Sequence, residues 1–67
     1  VVSVTSAGNL VVIKTISGTA SAAAEAVDSL KWQEIAGTIA GDNTIFVAVK
    51  DTKNAHELVK RFQAMIN

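Results

Sequence analysis

The 67-residue chain contains no cysteine, no proline, no tyrosine, and only one histidine. Without cysteine there is neither a disulfide nor a thiolate metal site, and His56 alone cannot build an imidazole cluster. Charge of one sign is also missing. Six basic residues balance six acidic ones, so the chain lacks the electrostatic footprint for holding nucleic acid directly. No apolar run approaches the roughly 20 residues of a membrane span, and none of these residues reads as a signal peptide. The lack of cysteine fits a reducing compartment, so the expectation is a soluble, cytoplasmic protein with no membrane partner. The chain opens on Val1-Val2-Ser3 with no initiator methionine and is expected to be a fragment or a processed product.

What is present is apolar material in a small frame: 49% of the residues are hydrophobic. A domain of this length buries only about 60% of its unfolded surface, and its own core supplies about 3–5 kcal/mol. With disulfides and metals set aside, self-association is the remaining way to stabilise it.

Residues 2 to 6, VSVTS, alternate β-branched and polar positions and predict a strand, with Ala7-Gly8-Asn9 as a turn. Leu10 to Ile16, LVVIKTI, is a second strand, so the chain opens on a hairpin. Ser17-Gly18-Thr19 breaks the run, with Ser17 or Thr19 as the cap of a helix from Ala20 to Leu30. Its alanines favour that state strongly. A third strand is expected from Glu34 to Ala40, interrupted by Gly37, and a fourth from Thr44 to Val49. Asp51 or Thr52 caps a last helix whose Ala55, Leu58, Val59, Phe62 and Ile66 recur at helical spacing. The order ββαββα predicts a single domain over residues 1–67. Its fold class is α+β, a two-layer α/β sandwich with both helices on one face of a four-stranded, mainly antiparallel sheet.

Two helices cover only one face of such a sheet. Leu10-Val11-Val12-Ile13 and Ile45-Phe46-Val47-Ala48-Val49 are nevertheless apolar on both sides, where a sheet with one wet face alternates. The second face is therefore expected to meet another subunit; the alternative is ordinary exposed apolar surface.

A search for catalytic chemistry returns little. There is no metal-ligand spacing, no phosphate-cradling glycine loop and no strained nucleophile turn, so the chain is not expected to be an enzyme or to need a cofactor. As a small enzyme subunit it would have only His56, Glu25, Asp28 and Asp42 for acid or base work, and His56 reads as a solvated residue on the last helix. Two carboxylates stand out. Asp28 shares a face of the first helix with Ser21, Ala24 and Glu25, beside an apolar stripe of Ala20, Ala23, Val27 and Leu30. It sits near the helix C-terminus, where the macrodipole disfavours a negative charge, so it is solvated, paired with Lys31, or held by an added cation. Asp42 lies beside Asn43 in a turn flanked by Ile39, Ala40, Ile45 and Phe46; turn chemistry alone accounts for Gly41-Asp42-Asn43, but a carboxylate buried there at a subunit contact needs a cationic partner.

The stretches LVVIKTISGTA, AVDSL and GTIAGDNTIF together resemble the C-terminal domain of the bacterial arginine repressor family, over nearly the whole chain. The resemblance implies the same ββαββα fold, a trimer that stacks into a dimer of trimers, and L-arginine bound as effector between the trimers. It also implies a winged-helix domain, absent from this chain, that binds operator DNA of arginine metabolism genes; the fragment itself would bind no nucleic acid. Carried over by position, Asp42 and Asp28 are similar to the arginine-holding acids, and Thr38 and Ala40 to neighbouring contact positions. A carboxylate pairs with a guanidinium through short, charge-assisted bonds, the role expected of Asp42, and a second carboxylate holds the α-amino group. Two site positions depart from the family: Asn43 replaces a second aspartate, and Ser21 stands where a longer glutamine is common. The alternative implied by these departures is an oligomerisation domain with weakened or lost effector binding.

Overall fold

A computed structural model describes residues 2–66. In chain order the elements are β1 (Ser3–Ala7), β2 (Leu10–Lys14), α1 (Ala20–Leu30), β3 (Ile35–Ala40), β4 (Thr44–Val49) and α2 (Thr52–Ile66). The strands form one antiparallel sheet in the order β1-β2-β4-β3. Because β2 and β3 are both antiparallel to β4, they run in the same direction, and α1 is the crossover between them. The predicted α+β class and the ββαββα order are both present.

Local chemistry sets the element boundaries. Gly8, at φ 60°, gives the β1–β2 hairpin its left-handed corner. The second strand stops at Lys14, two residues short of the sequence expectation. There the amide of Thr15 leaves the sheet for the carbonyl of Asn43 (2.8 Å), and Thr15 is buried. The first strand runs from Ser3 to Ala7, so it begins and ends one residue later than the expected 2 to 6. Asp51 caps α2 as expected, its Oδ1 accepting from the Lys53 amide at 2.9 Å. Thr19 occupies the cap position of α1 but makes no capping bond. Its backbone is already near the helical region (φ −108°, ψ −1°), so the hydroxyl turns back to donate to the Ile16 carbonyl at 2.6 Å.

Register decides which side chains meet the helices. Val4, Val11, Ile13, Ile45, Val47 and Val49 share one face and pack with Ala20, Ala24 and Val27 of α1 and Ala55, Leu58 and Phe62 of α2. Val59 packs against this core from the same stripe of α2; the side chain of Ile66, expected there too, lies outside the described set. Ala24 belongs to this core and not to the polar face expected to hold Ser21, Glu25 and Asp28, which are exposed. In β3 the pairing steps from Ile35 opposite Val49 to Gly37 opposite Ala48. Ala36 is thus an extra residue in a β-bulge, which keeps Ile35 and, beyond it, Thr38 and Ala40 on the helix side. Between the helices an apolar cleft of about 150 Å³ reaches down to Val4, Ile13 and Ile45.

The opposite face carries no helix. A row of Thr5, Val12, Phe46 and Ile39 crosses all four strands, and Ala7, Leu10, Ala48 and Gly37 form the next. Ile39 is 71% exposed and Phe46 45%.

One polar cluster ties the entry of β3 to α2. The Trp32 ring lies 5.3 Å from that of Phe62, and the Arg61 guanidinium sits over the Trp32 ring at 5.1 Å from its centroid. Arg61 also pairs with Glu34 at 3.2 Å and with Glu57.

Candidate functional site

The β3–β4 turn is closed by the Gly41 amide donating to the Thr44 carbonyl at 2.8 Å. Its main chain is then used to grip the start of α1. The Asp42 carbonyl accepts from Gly18 N at 3.0 Å and from Ala20 N at 3.4 Å, while Asn43 holds Thr15 through its own carbonyl. The Ala20 amide is one of the unpartnered donors of a helix start, so the turn performs the capping that Thr19 does not. With both carbonyls committed inward, the side chains of Asp42 and Asn43 are left exposed at the surface. Ser21, also exposed, follows directly on Ala20 and so belongs to this end of the helix.

Beside the turn, Ile39, Ala40, Gly41, Thr44 and Phe46 line an open, mostly apolar hollow of about 370 Å³. It continues the uncovered face of the sheet. Ala40 itself is half-buried, opposite Ile45, so its side chain belongs to the helix side.

Asp28 lies elsewhere. Its Oδ1 accepts a 2.5 Å bond from the Thr38 hydroxyl, across the junction of α1 and β3. This bond, rather than a pair with Lys31, is how the structure partners the carboxylate near the helix C-terminus. A hollow of about 170 Å³ beside it is lined by Asp28, Lys31, Trp32, Ile35 and Gly37, among others. Lys31 ends the helix at φ 54°, a left-handed conformation for which glycine is the usual choice.

The predicted site residues therefore fall into two groups at opposite ends of α1. Asp42, Asn43 and Ser21 gather at its start, and Asp28 and Thr38 at its end. Eight residues separate Ala20 from Asp28, about 12 Å along the axis. One protomer does not bring the two carboxylates together.

Two residues near the turn were not singled out from sequence. Lys14 Nζ donates to Thr44 Oγ1 at 3.1 Å, and that hydroxyl donates to Asn43 Oδ1 at 3.0 Å. The link exists because β2 pairs with β4, setting Lys14 opposite Thr44; no motif announces it. His56, on α2, faces Ser6 Oγ at 3.5 Å and is exposed. Among the described residues no group of three His, Cys, Asp or Glu side chains is placed to hold a metal ion, and no helix is long and apolar enough to cross a membrane.

Residues 1–64 match the family model described as arginine repressor, C-terminal domain. Among curated proteins the chain is similar to the arginine repressor of Clostridium kluyveri, at 61% identity over 67 residues, which is all of this chain and 45% of that protein. It is 56% identical over 66 residues to the arginine repressor of Thermoanaerobacter sp., covering 98% of this chain and 44% of the relative. Likewise, it is 56% identical over 66 residues to that of Clostridium tetani, covering 98% and 43%. The chain thus spans less than half the length of these relatives.

Proposed function

The chain belongs to the family of arginine repressor C-terminal domains, and from that premise we propose that it is the assembly and effector-sensing part of an arginine-responsive transcriptional regulator. In this reading it forms trimers and dimers of trimers in the cytoplasm, and binds L-arginine between the trimers. It thereby controls operator binding by a DNA-binding domain outside this chain, without performing a chemical step of its own.

The observation that carries the reading is the uncovered apolar face of the sheet with the Asp42 turn at its rim. Phe46 and Ile39 are exposed large apolar side chains on central and edge strands, and a second copy would remove them from water. Asp42 and Asp28, which one protomer holds apart, would come from facing subunits and supply acceptors for the two cationic groups of arginine. Hydrogen bonds to charged groups contribute about 1.5–3 kcal/mol each. A ligand bound only by the assembled form stabilises that form by mass action, and the same coupling links arginine to operator affinity reciprocally.

Sedimentation at several protein concentrations tests this, with L-arginine expected to shift trimers to hexamers. A chain that stays monomeric with and without arginine would sink the reading. A second reading, an assembly domain that has lost its effector, draws on the short Ser21 and on the engagement of the Asn43 oxygen by Thr44. Calorimetric titration separates the two, because an intact hexamer giving no heat with millimolar arginine would favour the second.

A further inference from the structure

An apolar cleft parts α1 from α2, and just past the end of α1 Trp32 bridges the two helices. Its ring packs on that of Phe62 at 5.3 Å with a tilt of 35°, and the Arg61 guanidinium covers it at 5.1 Å from the centroid. Arg61 is aimed from two sides, by Glu34 at 3.2 Å on the connection into β3 and by Glu57 one turn earlier on α2. A planar guanidinium lies over an indole while its nitrogens meet carboxylates, a combination that the compact ammonium of lysine does not match. The backbone beside the ring is fixed independently. The Trp32 carbonyl accepts from the Ile35 amide at 3.1 Å, and the Glu34 carbonyl from the Lys50 amide at 2.9 Å. What Phe62 and Arg61 set is therefore the orientation of the ring.

That ring is also the largest group in the wall of the hollow of about 170 Å³ beside Asp28, where Ala36 and Gly37 offer little bulk. Arg61 stands outside this lining. We propose that Arg61 is a positioning residue for the effector: it pins the Trp32 ring, and the ring holds the shape of the Asp28 hollow. This rests on the proposed arginine site and extends it to α2, which otherwise has no part in that site. A wall locked in place before the ligand arrives spares the cost of ordering it on binding. By linkage, arginine in the hollow steadies Trp32 and Arg61 in return.

The test is calorimetric titration of the assembled protein with L-arginine, together with the emission of Trp32, which is the only tryptophan of the chain. In the unaltered chain arginine is expected to change that emission. Arg61→Met keeps the length of the stem and frees the ring; it should weaken arginine by roughly threefold to tenfold, inside the range through which residues that do not touch a ligand alter its binding, and should diminish the emission change. Glu34→Gln loosens the same guanidinium more mildly and should act in the same direction. Trp32→Phe should weaken arginine as well, and adding Arg61→Met to it should cost nothing further, because both act through one ring. Additive losses, or an Arg61→Met chain with unaltered affinity, overturn the proposal while the site itself stands. Asp51→Ala serves as the control, since it weakens α2 at its other end; an equal loss of affinity there would reduce the Arg61 effect to general helix stability and overturn the proposal too. Absence of arginine binding to the unaltered hexamer would remove the underlying reading and this proposal with it.

Discussion

The two faces of the sheet are built from nearly the same residue types and meet opposite fates. On one, Val11, Ile13, Ile45, Val47 and Val49 are almost completely withdrawn from water beneath two helices. On the other, Leu10, Val12, Ile39, Phe46 and Ala48 lie under neither. Folding of one protomer accounts for the first set. The second set is only partly shielded by that folding, with Leu10, Val12 and Ala48 half-buried and Ile39 and Phe46 exposed, and a contiguous apolar patch of this kind is what a contact with another surface would cover.

The comparison can be broken first where it is strongest. Leu58 is fully buried, and Leu58→Ala should cost about 2–5 kcal/mol through lost burial and the cavity left behind. Urea denaturation at matched protein concentration reads this as a lower midpoint. Phe46→Lys asks the complementary question. It places a charge on the open face without touching the covered core, so sedimentation should report loss of the larger species, whereas circular dichroism at high concentration keeps the native signature. If Phe46→Lys left assembly intact, the open face would not be the contact.

Smaller changes sharpen the contrast by acting on the covered side alone. Asp51→Ala removes the bond to the Lys53 amide and should cost about 1 kcal/mol in thermal or urea unfolding, with sedimentation in the presence and absence of L-arginine the same as that of the unaltered chain. Lys31→Gly relieves the left-handed backbone at the end of α1. It should raise stability by up to about 1 kcal/mol, again with assembly unaffected, as a small upward shift of the melting temperature.

Much of this was legible in the sequence because local and global signals agree. The short β-branched and aromatic run of Thr44 to Val49 and the alanine run of Ala20 to Leu30 each specify one element, and both have the expected boundaries. The doubly apolar strands announced the open face before any register was known. What could not be read depends on which strands become neighbours. The β2–β4 pairing joins segments some thirty residues apart, as in Lys14 and Thr44, and that pairing alone brings Lys14 toward Asn43. The bond from Thr38 to Asp28 similarly requires α1 to lie across β3. The bulge at Ala36 was hinted at by Gly37 but not placed. At the candidate site, the family resemblance pointed to Asp42 and Asp28 as a pair; their separation along α1 emerges only from the fold.

The grip of the β3–β4 turn on the start of α1 has a kinetic corollary. Two consecutive carbonyls, those of Asp42 and Asn43, hold the amide hydrogens of Thr15, Gly18 and Ala20. Peeling the turn away would release all three hydrogens to solvent in a single opening event, so their exchange with deuterium should be governed by one common rate. A molecule seated on the exposed side chains of this turn would slow that exchange on the far side of it, carrying news of occupancy into the end of β2 and the first turn of α1 without moving either.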